Sequence, residues 1–355
     1  MERQLLVNTG TQIFQLGFSQ IQVEITGRCN LRCEHCRASN LLKKDMPIEQ
    51  IIKIIQFSLP LFSGKKEMVI SGGEPLIHSQ FQKVMEQIRT NGIEYGSLTT
   101  NGWFLTKEHI ELVKRLQFKG FTFSVSIDNM NPVIHDQFRG RKGSFDKAKQ
   151  ALQLLKEECD IIISSSVRST ILASDIEKME EIVEFARQMS CISVGFSAVH
   201  PAGKAIDNPT LWMTRKQKKE FIQRIYLLNS KYADISIGTT DPLKCLFCEE
   251  ETTQQDEMII LDGCGAALTT FNINSNGEMT PCALLDIPIM NIFPLTIDEI
   301  MEHYQRSEIV KNLLLRNFKG KCGHCSQRYS CGGCRARAHV QQGSYLGSDP
   351  HCWRK

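Results

Sequence analysis

Three cysteines, Cys29, Cys33 and Cys36, share one short segment, TGRCNLRCEHCRAS, directly after the apolar run Ile21–Ile25. Their spacing is C-x3-C-x2-C. Three thiolates on one loop can hold three corners of a cubane iron–sulfur cluster and leave its fourth iron without a protein ligand. Such an iron can bind and reduce a ligand, whereas a cluster with four cysteines mainly passes electrons. Zinc is the simpler alternative for any isolated C-x2-C pair. A second segment, Ser71-Gly72-Gly73-Glu74-Pro75, follows the next β-like run. Its glycines expose backbone to a ligand, and Glu74 supplies an acceptor for an ammonium. By itself this segment reads as an ordinary loop.

These segments need a scaffold, and the pattern around them supplies one. β-rich runs at Ile21–Ile25, Glu67–Ser71, Tyr95–Thr100, Phe121–Ile127, Asp160–Val167 and Cys191–Ser197 alternate with amphipathic stretches. The stretches Ile48–Phe57, Phe81–Thr90, Glu108–Leu116, Phe145–Lys156 and Ile176–Met189 place apolar residues at helical spacing. Strand–helix alternation implies parallel strands joined by right-handed crossovers. Six such units predict an α/β fold, a partial (β/α)6 TIM-like barrel, with functional residues at the C-terminal ends of the strands. The cysteine loop follows the first strand and so falls on that face. From about residue 236 the alternation stops. Phe271–Asn274, a Ser275-Asn276-Gly277 turn and Glu278–Cys282 read as a hairpin. One helix over about 296–317 separates it from a last group of cysteines. Domains are therefore expected at 1–235, the barrel, and 236–355, a small cysteine-rich α+β unit.

The chain has 355 residues, 41% of them apolar and 23% charged, as in ordinary soluble domains. A net charge of +3 gives no electrostatic case for nucleic acid or an anionic membrane. The first residues show no signal peptide, and no apolar run is long enough to span a bilayer. Fourteen cysteines without a secretion signal predict a reducing cytoplasm and metal rather than disulfides. Cys159 and Cys191 stand apart beside β-like runs and read as core thiols.

The C-terminal cysteines complete the pattern. Cys264 is followed by Gly277 and Cys282, then by Cys322, Cys325, Cys331, Cys334 and finally Cys352. With the N-terminal loop and the Gly-Gly-Glu-Pro segment, this order resembles the radical S-adenosylmethionine (SAM) superfamily carrying a C-terminal SPASM extension. In that family a cluster held by three cysteines binds SAM, and electron transfer to the sulfonium yields methionine and a 5′-deoxyadenosyl radical. The resemblance implies that Cys29, Cys33 and Cys36 hold that cluster. It implies that Gly72, Gly73 and Glu74 hold the methionine amine, that His35 lies near the adenine, and that Ser126 and Arg139 serve the ribose and the SAM carboxylate. It further implies two auxiliary [4Fe–4S] clusters. One takes Cys322, Cys325, Cys331 and Cys352. The other takes Cys264, Cys282 and Cys334 with an upstream cysteine, for which Cys248 is preferred over Cys245. A pair of zinc ribbons is the competing reading, disfavoured by the spacing of the two C-x2-C pairs. The gap of two residues between Cys331 and Cys334 is one shorter than the family commonly has.

Enzymes of this kind mostly modify peptides or proteins, by crosslinking, oxidation or epimerisation, and a related branch alters tetrapyrrole side chains in alternative haem pathways. Peptide or protein modification is the first expectation, tetrapyrrole chemistry the second, and a non-enzymatic iron–sulfur or zinc protein the third. An external flavodoxin- or ferredoxin-type electron donor is implied. Only 28 residues precede Cys29, too few for the fused leader-peptide-binding domain of many peptide maturases, which counts against the peptide reading without excluding it, since such a domain can be a separate protein.

Overall fold

The computed structural model of the chain describes residues 4–247 and 263–354. A short hairpin of β1 (Leu5–Asn8) and β2 (Ile13–Leu16) stands apart. Strands β3 (Ile21–Glu24), β4 (Glu67–Ser71), β5 (Tyr95–Thr100), β6 (Gly120–Ser126), β7 (Ile163–Ile171), β8 (Ser193–Ala198) and β9 (Ser236–Gly238) then follow, each paired in parallel with the next. Between them run α1 (Ile48–Ser58), α2 (Phe81–Thr90), α3 (Lys107–Leu116), α4 (Pro132–Arg139), α5 (Ser144–Glu158), α6 (Met179–Gln188) and α7 (Arg215–Lys231). The α/β fold expected from the alternation is thus observed.

The elements form where the sequence pattern requires. Helix α2 buries Phe81, Val84, Met85 and Ile88, one face at i, i+3, i+4 and i+7. Strand β6 alternates: Phe121, Phe123 and Val125 enter the core beneath the helices, leaving Thr122, Ser124 and Ser126 for the lumen. Strand β7 begins at Ile163 rather than Asp160, because the Asp160 carboxylate accepts the amides of Ile162 and Ile163, both at 2.8 Å, and closes a turn there. Helix α7 starts at a capping box between Thr214 and Gln217. Beyond residue 235, β9 still adds to the edge of β8.

The C-terminal segment continues the same sheet. Strands β10 (Asn272–Ile273), β11 (Glu278–Thr280) and β12 (Met290–Asn291) extend it past β3, giving the order β12-β11-β10-β3-β4-β5-β6-β7-β8-β9. The predicted hairpin is therefore present, turning at Gly277 with φ 88°, and it docks on β3 in parallel. The single helix expected over 296–317 is two, α8 (Ile297–Arg306) and α9 (Glu308–Leu314), because Ser307 is extended (ψ 121°). Short α10 (Gly320–His324) and then α11 (Arg335–Gln342) follow. Four buried charges join barrel and extension. Asp241 accepts Lys218 of α7 at 3.0 Å and Arg337 of α11 at 2.7 and 3.0 Å, and Arg337 reaches Asp349 at 3.0 and 2.6 Å. Two cations and two anions are balanced out of water, so removing any one strands a buried charge. Among the described residues no helix is long and apolar enough to cross a membrane.

Candidate active site and cysteine field

The cysteine loop leaves β3 and is clamped from several strand ends. Thr26 Oγ1 donates to Asp45 at 2.7 Å, and Arg28 meets the same carboxylate at 2.9 and 2.8 Å. The amides of Gly73 and Glu74 donate to the carbonyls of Thr26 and Arg28 at 2.7 and 2.8 Å. A Cβ on Gly72 would lie 2.4 Å from the Thr26 carbonyl, and one on Gly73 2.1 Å from that of Arg28. Both glycines are thus needed for the close approach of two backbones, a reason the sequence reading had assigned to a ligand. On the opposite side Gly203 makes the same kind of approach, to Cys36 and Arg37, and the Lys204 amide donates to the Cys36 carbonyl at 3.0 Å. The Pro201–Ala205 stretch is thereby a support of the loop.

Glu74 is fully buried. Its carboxylate accepts Thr100 Oγ1 at 2.7 Å, the Asn101 amide at 2.8 Å and the Leu76 amide at 3.2 Å. Burial raises its pKa to about 7 against those three donors. A carboxylate has about four acceptor sites, so one further donor fits. Glu74 therefore caps the turn after β4 with one acceptor site unused.

Arg139, at the end of α4, is tied to Asp128 at 2.5 and 2.9 Å. Asp128 also accepts the Thr170 amide at 2.8 Å, and its pKa is lowered: the charge of Arg139 and its other donors outweigh burial. Arg139 also hydrogen-bonds Cys33, which pulls down a thiol that burial pushes up. Burial likewise raises Cys29 to about 12. Ligation by a cationic cluster would reverse that cost, since bound thiols are deprotonated. His35 stacks on Phe138 with ring centroids 4.3 Å apart, and burial lowers its pKa to about 4, so the ring is neutral.

Ser126 closes β6 in register with Arg168 of β7. Arg168 shares the face of Ser164 and Ser166, opposite the core residues Val167 and Ile171. It is exposed to solvent although protein surrounds it on the sheet. Burial and the neighbouring charge of Arg37 lower its pKa, and no carboxylate pairs with it among the described residues. Sequence reasoning missed it, although a single cation inside a run of strand serines was visible. The lumen wall around it is hydroxylated: Thr122 meets Ser164 at 3.0 Å, and Ser124 meets Ser166 at 3.0 Å.

The C-terminal cysteines converge in two groups. Cys264 and Cys334 both act electrostatically on Cys282, which burial raises to about 12. Cys322 and Cys325 act on Cys352, which in turn acts on Cys331. Backbone amides already point at two of the sulfurs, Asp349 N to Cys322 at 3.3 Å and Gly333 N to Cys331 at 3.4 Å. Cys248 lies outside the described residues. Cys245 is buried beside Cys331, its thiol donating to the Ser330 carbonyl at 3.4 Å. No three His, Cys, Asp or Glu side chains among the described residues converge as a site for a single metal ion.

Residues 23–189 match the family model of the radical SAM superfamily. The chain is similar to the AdoMet-dependent heme synthase of Methanosarcina barkeri, with 27% identity across 93% of this chain and 94% of that protein. It is also similar to the antilisterial bacteriocin subtilosin biosynthesis protein AlbA of Bacillus subtilis, with 24% identity across 88% of this chain and 66% of that protein. Among solved structures its fold resembles Streptococcus suis SuiB bound to S-adenosylmethionine, with TM-score 0.76 and 16% identity, covering 96% of this chain and 78% of that one.

Proposed function

We propose that the chain is a radical SAM enzyme with a C-terminal SPASM extension and that it modifies a peptide or protein side chain by hydrogen abstraction. The observation that supports this substrate class is the lumen wall. Thr122, Ser124, Ser126, Ser164 and Ser166 offer hydroxyls, and Arg168 offers an unpaired guanidinium. Peptide amides match the hydroxyls, while the guanidinium matches a carboxylate of either a peptide or a porphyrin carboxylic acid. SuiB, whose fold this chain shares, has been crystallised with its precursor peptide SuiA. Cys29, Cys33 and Cys36 are the residues proposed to hold the SAM-binding cluster, with Glu74, His35 and Ser126 around the cofactor. Arg139 is proposed to serve that site through Cys33 and Asp128. When bound, the cluster and SAM supply a 5′-deoxyadenosyl radical, and an external flavodoxin- or ferredoxin-type donor supplies the electron. Two auxiliary [4Fe–4S] clusters in the C-terminal groups complete the proposal.

A second reading, tetrapyrrole side-chain chemistry, is favoured by the near full-length similarity to heme synthases. One anaerobic experiment separates the two. The reconstituted enzyme is given SAM and dithionite with either an iron porphyrin carboxylic acid or peptides encoded beside its gene. A mass change in a peptide, with 5′-deoxyadenosine formed in step, supports the first reading. Turnover of the porphyrin alone overturns it.

A further inference from the structure

Arg316 follows α9 and is 1% exposed. Its backbone lies in the left-handed region, φ 50°, which side chains other than glycine seldom occupy. Among the described residues one hydrogen bond satisfies the guanidinium: Nη2 donates to the Cys264 carbonyl at 3.2 Å. Nε and Nη1 are buried and unpartnered. Gly332 makes the room, since a Cβ there would sit 2.5 Å from Nη1. No carboxylate neutralises this cation among the described residues. The ionisable groups that lie around it are the thiols of Cys264, Cys331 and Cys245 and the guanidinium of Arg335. One ring, Phe318, separates it from Arg335, whose guanidinium carbon lies 4.1 Å from the ring centroid against 5.7 Å for Arg316. Arg335 faces the other group of cysteines, its Nη2 lying 3.7 Å from Cys322 Sγ.

A buried cation with two free donors needs an anionic acceptor, because an unsatisfied buried charge is strongly penalised. We propose that Arg316 donates the N–H groups of its two free nitrogens, Nε and Nη1, to the sulfurs of the auxiliary cluster that takes Cys264, and thereby raises that cluster's reduction potential. Positive charge and hydrogen bonds to sulfur favour the reduced, more negative state of a cluster. Arg316 is a positioning and tuning residue that touches the auxiliary cluster and not the substrate. Its role would let the auxiliary cluster take up one electron released when a substrate radical is oxidised. The inference rests on the auxiliary clusters proposed above, and the iron count of the unmutated protein tests them separately, at about four irons per cubane.

The test uses the full chain with Cys29, Cys33 and Cys36 replaced by alanine, so that only auxiliary clusters contribute signal. Redox titration followed by electron paramagnetic resonance compares this protein with its Arg316→Lys and Arg316→Gln forms. Arg316→Gln is expected to disfavour reduction of one cluster at least tenfold, a fall of about 59 mV for one electron, while Arg316→Lys stays nearer the parent. Selective loss of about four irons from the Gln form, with the Lys form loaded, also supports a requirement for charge. Unchanged potentials in a fully loaded Gln form overturn the proposal. Equal iron loss from both variants overturns it too, since it would make Arg316 a packing element.

Discussion

Replacing Glu74 with glutamine keeps the shape of the side chain and removes its charge. Thr100 and Leu76 can still donate to the remaining amide oxygen, but the new NH2 group faces the Asn101 amide, which held the other carboxylate oxygen at 2.8 Å. If Glu74 accepts a hydrogen bond from the SAM amine, the lost charge-assisted bond is worth about 1.5–3 kcal/mol. SAM should then bind about ten- to hundredfold more weakly, at about 1.4 kcal/mol per tenfold. The raised pKa adds a signature. With Glu74 titrating at about 7 in the SAM-free protein, affinity of the wild type for SAM should rise with pH up to that point and level off above it. The glutamine form should lack this rise. Stability runs the other way. The folded carboxyl holds its proton up to about 7 and the unfolded one only to about 4.5, so the folded state binds more protons in this window. Stability contributed by Glu74 is full below about 4.5 and falls by about 3 kcal/mol as pH rises to 7. Denaturation of wild type and variant across that window isolates this component. Titration of the cluster's paramagnetic signal with SAM measures the binding. Equal SAM affinity for both proteins at pH 8 would refute the contact and leave Glu74 as a turn cap alone.

Replacing Cys29, Cys33 and Cys36 with alanine should remove about four of twelve irons and abolish SAM cleavage while the C-terminal clusters persist, as read by iron analysis and 5′-deoxyadenosine formation. Cys325→Ala with Cys331→Ala should spare uncoupled SAM cleavage more than substrate turnover, and equal loss of both in a folded protein would count against a separate auxiliary role. Asp128→Ala leaves Arg139 buried and unpaired, so a loss of about 3–5 kcal/mol is expected in denaturant melts, together with weaker cluster retention at Cys33. Arg168→Gln should weaken binding of a carboxylate-bearing substrate about tenfold or more while uncoupled SAM cleavage continues. Loss of SAM binding instead would place that guanidinium on the SAM carboxylate.

The barrel was legible because periodicity is local. Strands β4 and β5 and helix α2 fall on the expected residues, since each carries its own alternation or apolar stripe. Helices α4 and α7 were not named in advance. α4 is eight residues long, and its buried positions are His135, Phe138 and Arg139, two of them polar. The cysteine loop and Glu74 were legible as types and spacing, but their geometry was not. Nothing in Gly72-Gly73 distinguishes a glycine that admits a ligand from one that admits the Thr26 and Arg28 carbonyls. The resemblance puts Arg139 beside SAM; its pairing with Asp128, eleven residues earlier in sequence and across the β6–α4 turn, is a contact no sequence pattern announced. The partners of Asp241, Lys218 among them, are separated by up to 96 residues, so no window of sequence exposes them.

Those long-range contacts also decide how the two halves relate. The C-terminal hairpin does not hang from the barrel; β10 pairs with β3, the strand that launches the cysteine loop. Arg37, the residue after Cys36, spans the join. Its guanidinium meets Glu24 of β3 and also the carbonyl of Ala283, at 3.4 Å, directly after Cys282. Lys53 of α1 donates to the carbonyls of Ile292, Phe293 and Leu295 at 3.2, 2.8 and 3.0 Å, fixing the segment after β12 on the barrel's first helix. At the far edge the Asp241 charge cluster holds Asp349, which accepts the Cys334 amide at 2.7 Å. The C-terminal cysteines are therefore registered to the barrel at both edges of one sheet. A displacement of the extension would break sheet hydrogen bonds on one side and unpair buried charges on the other. That coupling holds the C-terminal cysteines in a fixed place relative to the loop that carries Cys29, Cys33 and Cys36.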